Sequence, residues 1–109
     1  MQPRLERLYA SVLSHGSDGT RFPRTAKLLR SGKAHLAKKL AEEAVEVALD
    51  VVDGDRAAVI SESADLLYQL IVLWAALGIW PAEIWEEMDR RETMLGLAEK
   101  LPKSAGDAT

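Results

Sequence analysis

Apolar residues recur at three- and four-residue spacings along almost the whole of this 109-residue chain, and hardly any segment alternates with a period of two. That spacing belongs to helices, where 3.6 residues complete a turn, whereas a half-buried strand turns every second side chain toward the core. The chain is therefore expected to be all-α, a bundle of four to five helices. Its length suits one domain with one core, residues 1–109. With 48% apolar and 28% charged residues it lies far from the composition of a disordered chain.

Turn chemistry divides the pattern. A first helix is expected from about Pro3 to Leu13, with Leu5, Leu8, Tyr9 and Val12 on one face, followed by a loop through Gly16, Ser17, Asp18 and Gly19. Thr25 is placed to cap a short helix running to Arg30, and Ser31-Gly32 breaks it. A long helix then runs from about Lys33 to Val52. Gly54 suits the left-handed position after a helix end and Asp55 the cap of the next helix, which should stop at Gly78. Pro81 opens a last helix to about Leu95, and Pro102 to Thr109 reads as a frayed polar tail.

Composition excludes several chemistries. With no cysteine there is neither a disulfide framework nor a thiolate site, so a metal would sit on oxygen or on His15 and His35. The N-terminal MQPRLERLYASV carries charges where a signal peptide needs an apolar run. The longest apolar stretch, Leu70 to Trp80, is short for a bilayer span and closely follows Asp65, so a soluble cytoplasmic protein with no membrane partner is expected. A net charge of −3 argues against nucleic-acid binding.

That average conceals segregation. Between Arg21 and Lys39 stand seven basic residues and no acidic one; between Leu40 and Asp65 stand eight acidic residues against Arg56 alone. Two readings are open: both segments are solvated helix faces, or together they hold a polyanion through Lys/Arg on one side and a bridging divalent cation on the other. On a wheel at ~100° per residue with Glu42 at zero, Asp53, Glu46, Lys39, Asp50 and Glu43 fall between ~20° and ~100°, while Leu36, Val47, Leu40, Val51, Ala44, Ala37 and Ala48 occupy ~120° to ~240°. Lys38 with Glu42 and Lys39 with Glu43 are spaced to pair, which favours solvated faces; Glu42, Glu46 and Asp50 form a like-charge ridge, which does not.

The next helix favours the second reading over an ordinary salt-bridged bundle. It is apolar on nearly every side, as at the centre of a bundle, yet Glu62, Asp65 and Gln69 share one narrow strip. A buried carboxylate without a partner is costly. Packing this strip toward Glu42, Glu43 and Glu46 would gather four or five carboxylates around a divalent cation, and Mg²⁺ or Mn²⁺ suits such an all-oxygen site.

The spacing Glu43-x-x-Glu46, then fifteen residues, then Glu62-x-x-Asp65 resembles the ExxE…ExxD pattern of the MazG-like all-α nucleoside triphosphate pyrophosphohydrolases. Within them the chain most resembles the phosphoribosyl-ATP pyrophosphohydrolases of histidine biosynthesis, through Thr25-Ala26-Lys27-Leu28-Leu29, Lys39 to Val47 (KLAEEAVEV), Gly54-Asp55-Arg56 and Ala64 to Tyr68 (ADLLY). The resemblance covers about Leu5 to Arg91. It implies a MazG-like helical bundle, a homodimer, and Mg²⁺-dependent hydrolysis of phosphoribosyl-ATP to phosphoribosyl-AMP and pyrophosphate. It implies Glu43, Glu46, Glu62 and Asp65 as metal ligands, with Glu42 and Glu46 as the catalytic carboxylates. Arg24, Lys27 and Lys39 are the expected phosphate contacts. Tyr68 and Gln69 are placed to touch base or ribose, Tyr68 equally well as core, and His35 is expected on the surface. Three departures from the family pattern stand out: Pro23-Arg24 where Ser-Tyr is usual, Ala41 where Gly is common, and Gln69 where His usually follows the Tyr.

The Gln69 departure keeps open a relative acting on other nucleoside triphosphates, and a non-catalytic helical interaction module is the alternative from another class. Trp74, Trp80 and Trp85 with Ile79 and Ile84 offer more large apolar surface than one small bundle covers, an independent ground for a homodimer.

Overall fold

The computed structural model describes residues 2–15, 21 and 23–95, and every element among them is helical. The helices are α1 (Gln2–His15), α2 (Pro23–Arg30), α3 (Lys33–Asp53), α4 (Arg56–Leu77) and α5 (Pro81–Leu95). The turn-rich stretch from Gly16 to Thr20 and the polar tail from Pro102 to Thr109 lie outside the described residues. The chain divides into two units, one through Ile79 holding α1 to α4 and one from Trp80 onward holding α5.

The α3–α4 connection follows its local chemistry closely. Gly54 takes φ 73°, a conformation that costs a side-chain-bearing residue free energy, and its amide and that of Asp55 return to the carbonyls of Val51 and Asp50 at 3.1 Å each. Asp55 then caps α4, its Oδ1 accepting the Ala58 amide at 3.0 Å. A two-residue turn of this kind sets two long helices antiparallel. Glu46 and Glu62 each stand eight residues from Gly54, and Glu43 and Asp65 each stand eleven, so equal rise along the two helices brings the acidic pairs to one level. Gly78 at φ 71° ends α4 in the same manner.

Within this unit α4 is the central helix: it packs on α3 most extensively, then on α1 and α2. Its all-round apolar surface is long enough to cross a membrane by length and composition, and here it serves three neighbouring helices while carrying Glu62, Asp65 and Gln69. The core gathers Leu5, Tyr9 and Val12 of α1, Ala26 and Leu28 of α2, Leu36 of α3, and Ile71 and Val72 of α4.

Three expectations are corrected. Thr25 does not cap α2, which begins at Pro23; proline suits a first helical turn because its missing amide has no partner there anyway. The Thr25 hydroxyl instead meets the Tyr68 hydroxyl on α4 at 2.7 Å. On α3 the covered side is narrower than the apolar arc: Leu36 is buried and Leu40 and Val47 half-buried, whereas Val51 is exposed with Val45, Leu49 and Val52. Surplus apolar surface therefore falls on α3 and on Ile60 and Leu67 of α4. Of the residues expected to supply it, Trp80 is exposed while Trp74, Trp85, Ile79 and Ile84 are half-buried.

Candidate functional site

The level pairing of α3 and α4 brings one carboxylate oxygen each from Glu43, Glu62 and Asp65 within 4.8 Å of one another. Glu43 and Glu62 are half-buried because they border the covered side of their helices, and Asp65 is exposed at the mouth, not buried as its place on the central helix implied. Glu43 Oε2 and Glu62 Oε2 are shut off from solvent and accept no hydrogen bond from the protein. The repulsion shows in Glu62, whose carboxyl is pushed up to about 7. The neighbouring Glu43 carboxylate, which favours the protonated form, is the largest cause, then that of Glu46, and burial acts in the same direction. Glu46 therefore stands close enough to Glu62 to act on it, although it is outside the three-carboxylate group.

Beside the carboxylates lies a hollow of about 260 Å³ lined by Arg24, Lys27, Leu28, Ser31, His35, Lys39 and Gln69. Positions 24, 27, 28 and 31 recur at the spacing of one face of α2 and its end; His35 and Lys39 are one turn apart on α3. Tyr68 anchors α2 from α4, through its hydroxyl to Thr25 and with the Arg24 guanidinium 6.0 Å from its ring centroid. Lys39 is paired at the surface, its Nζ 3.7 Å from Glu42 Oε1. An acid group fit for a divalent cation thus adjoins a basic recess fit for an anion.

Residues 7–92 match the family of phosphoribosyl-ATP pyrophosphohydrolases. The chain belongs to that family. It is 57% identical over 105 residues to the phosphoribosyl-ATP pyrophosphatase 2 of Bradyrhizobium diazoefficiens, covering 96% of this chain and 78% of that protein. It is 56% identical over 104 residues to the phosphoribosyl-ATP pyrophosphatase 2 of Rhodopseudomonas palustris, covering 95% and 79%. With the phosphoribosyl-ATP pyrophosphatase of Azospirillum brasilense the identity is 50% over 96 residues, covering 88% and 86%.

In this phosphoribosyl-ATP pyrophosphohydrolase-family chain, three of the four expected metal ligands meet, and Glu46 stands beside them. Glu42 is outside the group: it is exposed, pairs with Lys39, and with Lys38, Ala41, Val45 and Glu46 lines an open groove on α3. Its pairing is thus with Lys39 three residues before it, in place of the expected Lys38, and Lys39 reaches it instead of Glu43. Arg24, Lys27, Lys39 and Gln69 converge on the basic hollow, and Tyr68 stands behind it. Sequence reasoning missed Ser31 and set His35 aside as a surface residue; His35 is exposed but also borders the hollow. Its four-residue spacing to Lys39 was the available signal.

Proposed function

We propose that this chain hydrolyses phosphoribosyl-ATP to phosphoribosyl-AMP and pyrophosphate, a step of histidine biosynthesis in the cytoplasm. The carrying observation is the meeting of Glu43, Glu62 and Asp65 carboxylates within 4.8 Å, beside a basic hollow, in a member of this family. These residues fit a hard divalent cation: all donors are oxygens, and two buried oxygens, Glu43 Oε2 and Glu62 Oε2, accept nothing from the protein. Glu43, Glu62 and Asp65 would hold Mg²⁺, or Mn²⁺ in its place, with Glu46 as the fourth carboxylate. Such an ion, when bound, neutralises phosphate charge and lowers the pKa of a bound water.

The chain's own groups supply the rest. Glu46, facing Glu62, is placed to orient the attacking water and take its proton. Lys39, Arg24 and Lys27 bind substrate phosphates, Lys39 from the boundary between acidic and basic regions. Glu42 pairs with Lys39 at the surface and biases where its ammonium sits. The exposed Val45, Leu49 and Val52 of α3 with Ile60 and Leu67 of α4 support a homodimer that covers them.

The test is pyrophosphate release from phosphoribosyl-ATP with Mg²⁺, with EDTA, and in Glu46→Gln and Glu62→Gln. Release by the wild type, abolished by EDTA and reduced by orders of magnitude in both folded variants, is expected. Undiminished release in the variants would overturn the site assignment. Mg²⁺ or Mn²⁺ should also raise the unfolding temperature of the wild type by mass action, about 2.7 kcal/mol of stabilisation at a hundredfold excess over Kd.

A further inference from the structure

Gln69 is 3% exposed, and its Oε1 is buried without accepting any hydrogen bond from the protein. It lies one turn beyond Asp65 on α4, and it lines the hollow with Arg24, Lys27, Ser31, His35 and Lys39. An amide oxygen closed off in this way is costly unless a ligand supplies a donor. An ionised phosphate has only acceptors, so it satisfies the cations of the hollow and cannot satisfy the Gln69 Oε1. A sugar hydroxyl can. A ligand carrying phosphate and hydroxyl a few bonds apart therefore meets both demands, and a sugar phosphate is such a ligand. The 260 Å³ of the hollow falls below the ~300–1,000 Å³ of pockets that take whole drug-sized ligands, which fits one arm of a nucleotide and not all of it.

We infer that this hollow is the subsite for the phosphoribosyl arm of the substrate. The Gln69 amide, sealed without ligand, turns so that its Oε1 accepts a hydrogen bond from a ribose hydroxyl, and Arg24 and Lys27 neutralise the arm's 5′-phosphate. The triphosphate then extends past Lys39 toward Glu43, Glu62 and Asp65. This rests on the reaction proposed above, and it assigns Arg24 and Lys27 to the arm that stays, not to departing pyrophosphate. Gln69 becomes a specificity-determining residue, distinguishing phosphoribosyl-ATP from ATP, which lacks that arm.

The experiment compares kcat/KM for phosphoribosyl-ATP and for ATP in the wild type, Gln69→Leu and Gln69→Met. Ribose 5-phosphate and inorganic pyrophosphate are titrated into each protein by calorimetry. The preference for phosphoribosyl-ATP over ATP should fall about tenfold to a hundredfold in both variants, the loss expected when a buried hydrogen bond to a substrate hydroxyl is removed. Ribose 5-phosphate should bind the wild type and bind the variants more weakly. An unchanged preference ratio, or ribose 5-phosphate that does not bind the wild type at millimolar concentration, overturns the inference. So does pyrophosphate binding that weakens in the variants while ribose 5-phosphate binding does not. If the wild type releases no pyrophosphate from phosphoribosyl-ATP, the proposed reaction fails, and the ribose 5-phosphate titration still decides what the hollow holds. Calorimetry on the wild type also decides it should both variants fail to fold.

Discussion

The hydroxyls of Thr25 and Tyr68, 2.7 Å apart and partly buried, join α2 to α4 across 43 residues of sequence. Tyr68→Phe removes one partner while keeping the ring beneath Arg24. A neutral side-chain hydrogen bond contributes about 1 kcal/mol net, and water can reach a partly buried hydroxyl, so the full penalty of a sealed orphan does not apply. Tyr68→Phe and Thr25→Val should each cost about 1 kcal/mol, about 4–8 °C in Tm for a unit of this size. Since both remove the same bond, the double variant should cost little more than either, with a coupling of about 1 kcal/mol. The assay is urea unfolding of the four proteins followed by circular dichroism. The functional companion is KM, which should rise severalfold in Tyr68→Phe as α2 loses its tie, with kcat much less changed. Additivity of the two single costs within about 0.3 kcal/mol would refute the claim that this bond holds α2 in place.

Asp55→Ala should lower stability by about 1 kcal/mol through loss of the Ala58 cap, with Asp55→Asn close to wild type in the same urea titration. For Glu62 the linkage runs against the usual carboxylate. Its group is pushed from 4.5 to about 7 by Glu43 and then Glu46, so its contribution is complete below pH 4.5. Between those values the unfolded chain releases the proton that the native state keeps, so stability falls as pH rises, levelling above about 7. Glu87, held at about 2 by Arg90 and then Arg91, opposes this at low pH in both proteins. The decisive quantity is therefore the difference between wild type and Glu62→Gln in metal-free unfolding titrations, and it should follow that window. Light scattering should show the homodimer proposed above for the wild type and a monomer for Leu49→Asp; a monomeric wild type would refute the dimer, and an unaffected dimer would place the interface elsewhere.

Local chemistry made much of the fold readable. Gly54 and Asp55 announce a helix stop and restart, and the equal distances of Glu46 and Glu62, and of Glu43 and Asp65, from Gly54 make the acidic meeting nearly a consequence of that turn. Thr25 was misjudged because a threonine near a helix start is equally able to cap or to bond across helices, and only packing against Tyr68 selects between them. The α3 wheel showed an apolar arc but not which part of it α4 would cover, so Val51, inside the arc, is exposed against expectation, while Val45, Leu49 and Val52 lie outside that arc at ~280° to ~340°. Gln69 was placed on the acidic strip by its angle. Four residues of rise are enough to carry it past the carboxylates to the recess formed by α2, a helix whose docking no periodicity in α4 records.

The segregation of charge along the sequence persists in space, and Glu62 is the reason to say so. Had Arg24, Lys27 or Lys39 folded onto the acidic group, a nearby cation would hold its carboxyl below the ordinary range. Every charged or hydrogen-bonding influence on Glu62 instead comes from Glu43 and Glu46, and all raise it. Lys39 is turned aside to the exposed Glu42 at 3.7 Å, a pair of small energetic value at the surface. The fold thus keeps seven basic residues close in sequence to eight acidic ones without letting the recess neutralise the carboxylates. A bundle selected for stability alone would pair them. Keeping them apart, the carboxylates on α3 and α4 and the cations of the recess on α2 and α3, leaves each region short of counter-charge, the condition under which a cation and a phosphorylated ligand are bound together more favourably than either is bound alone.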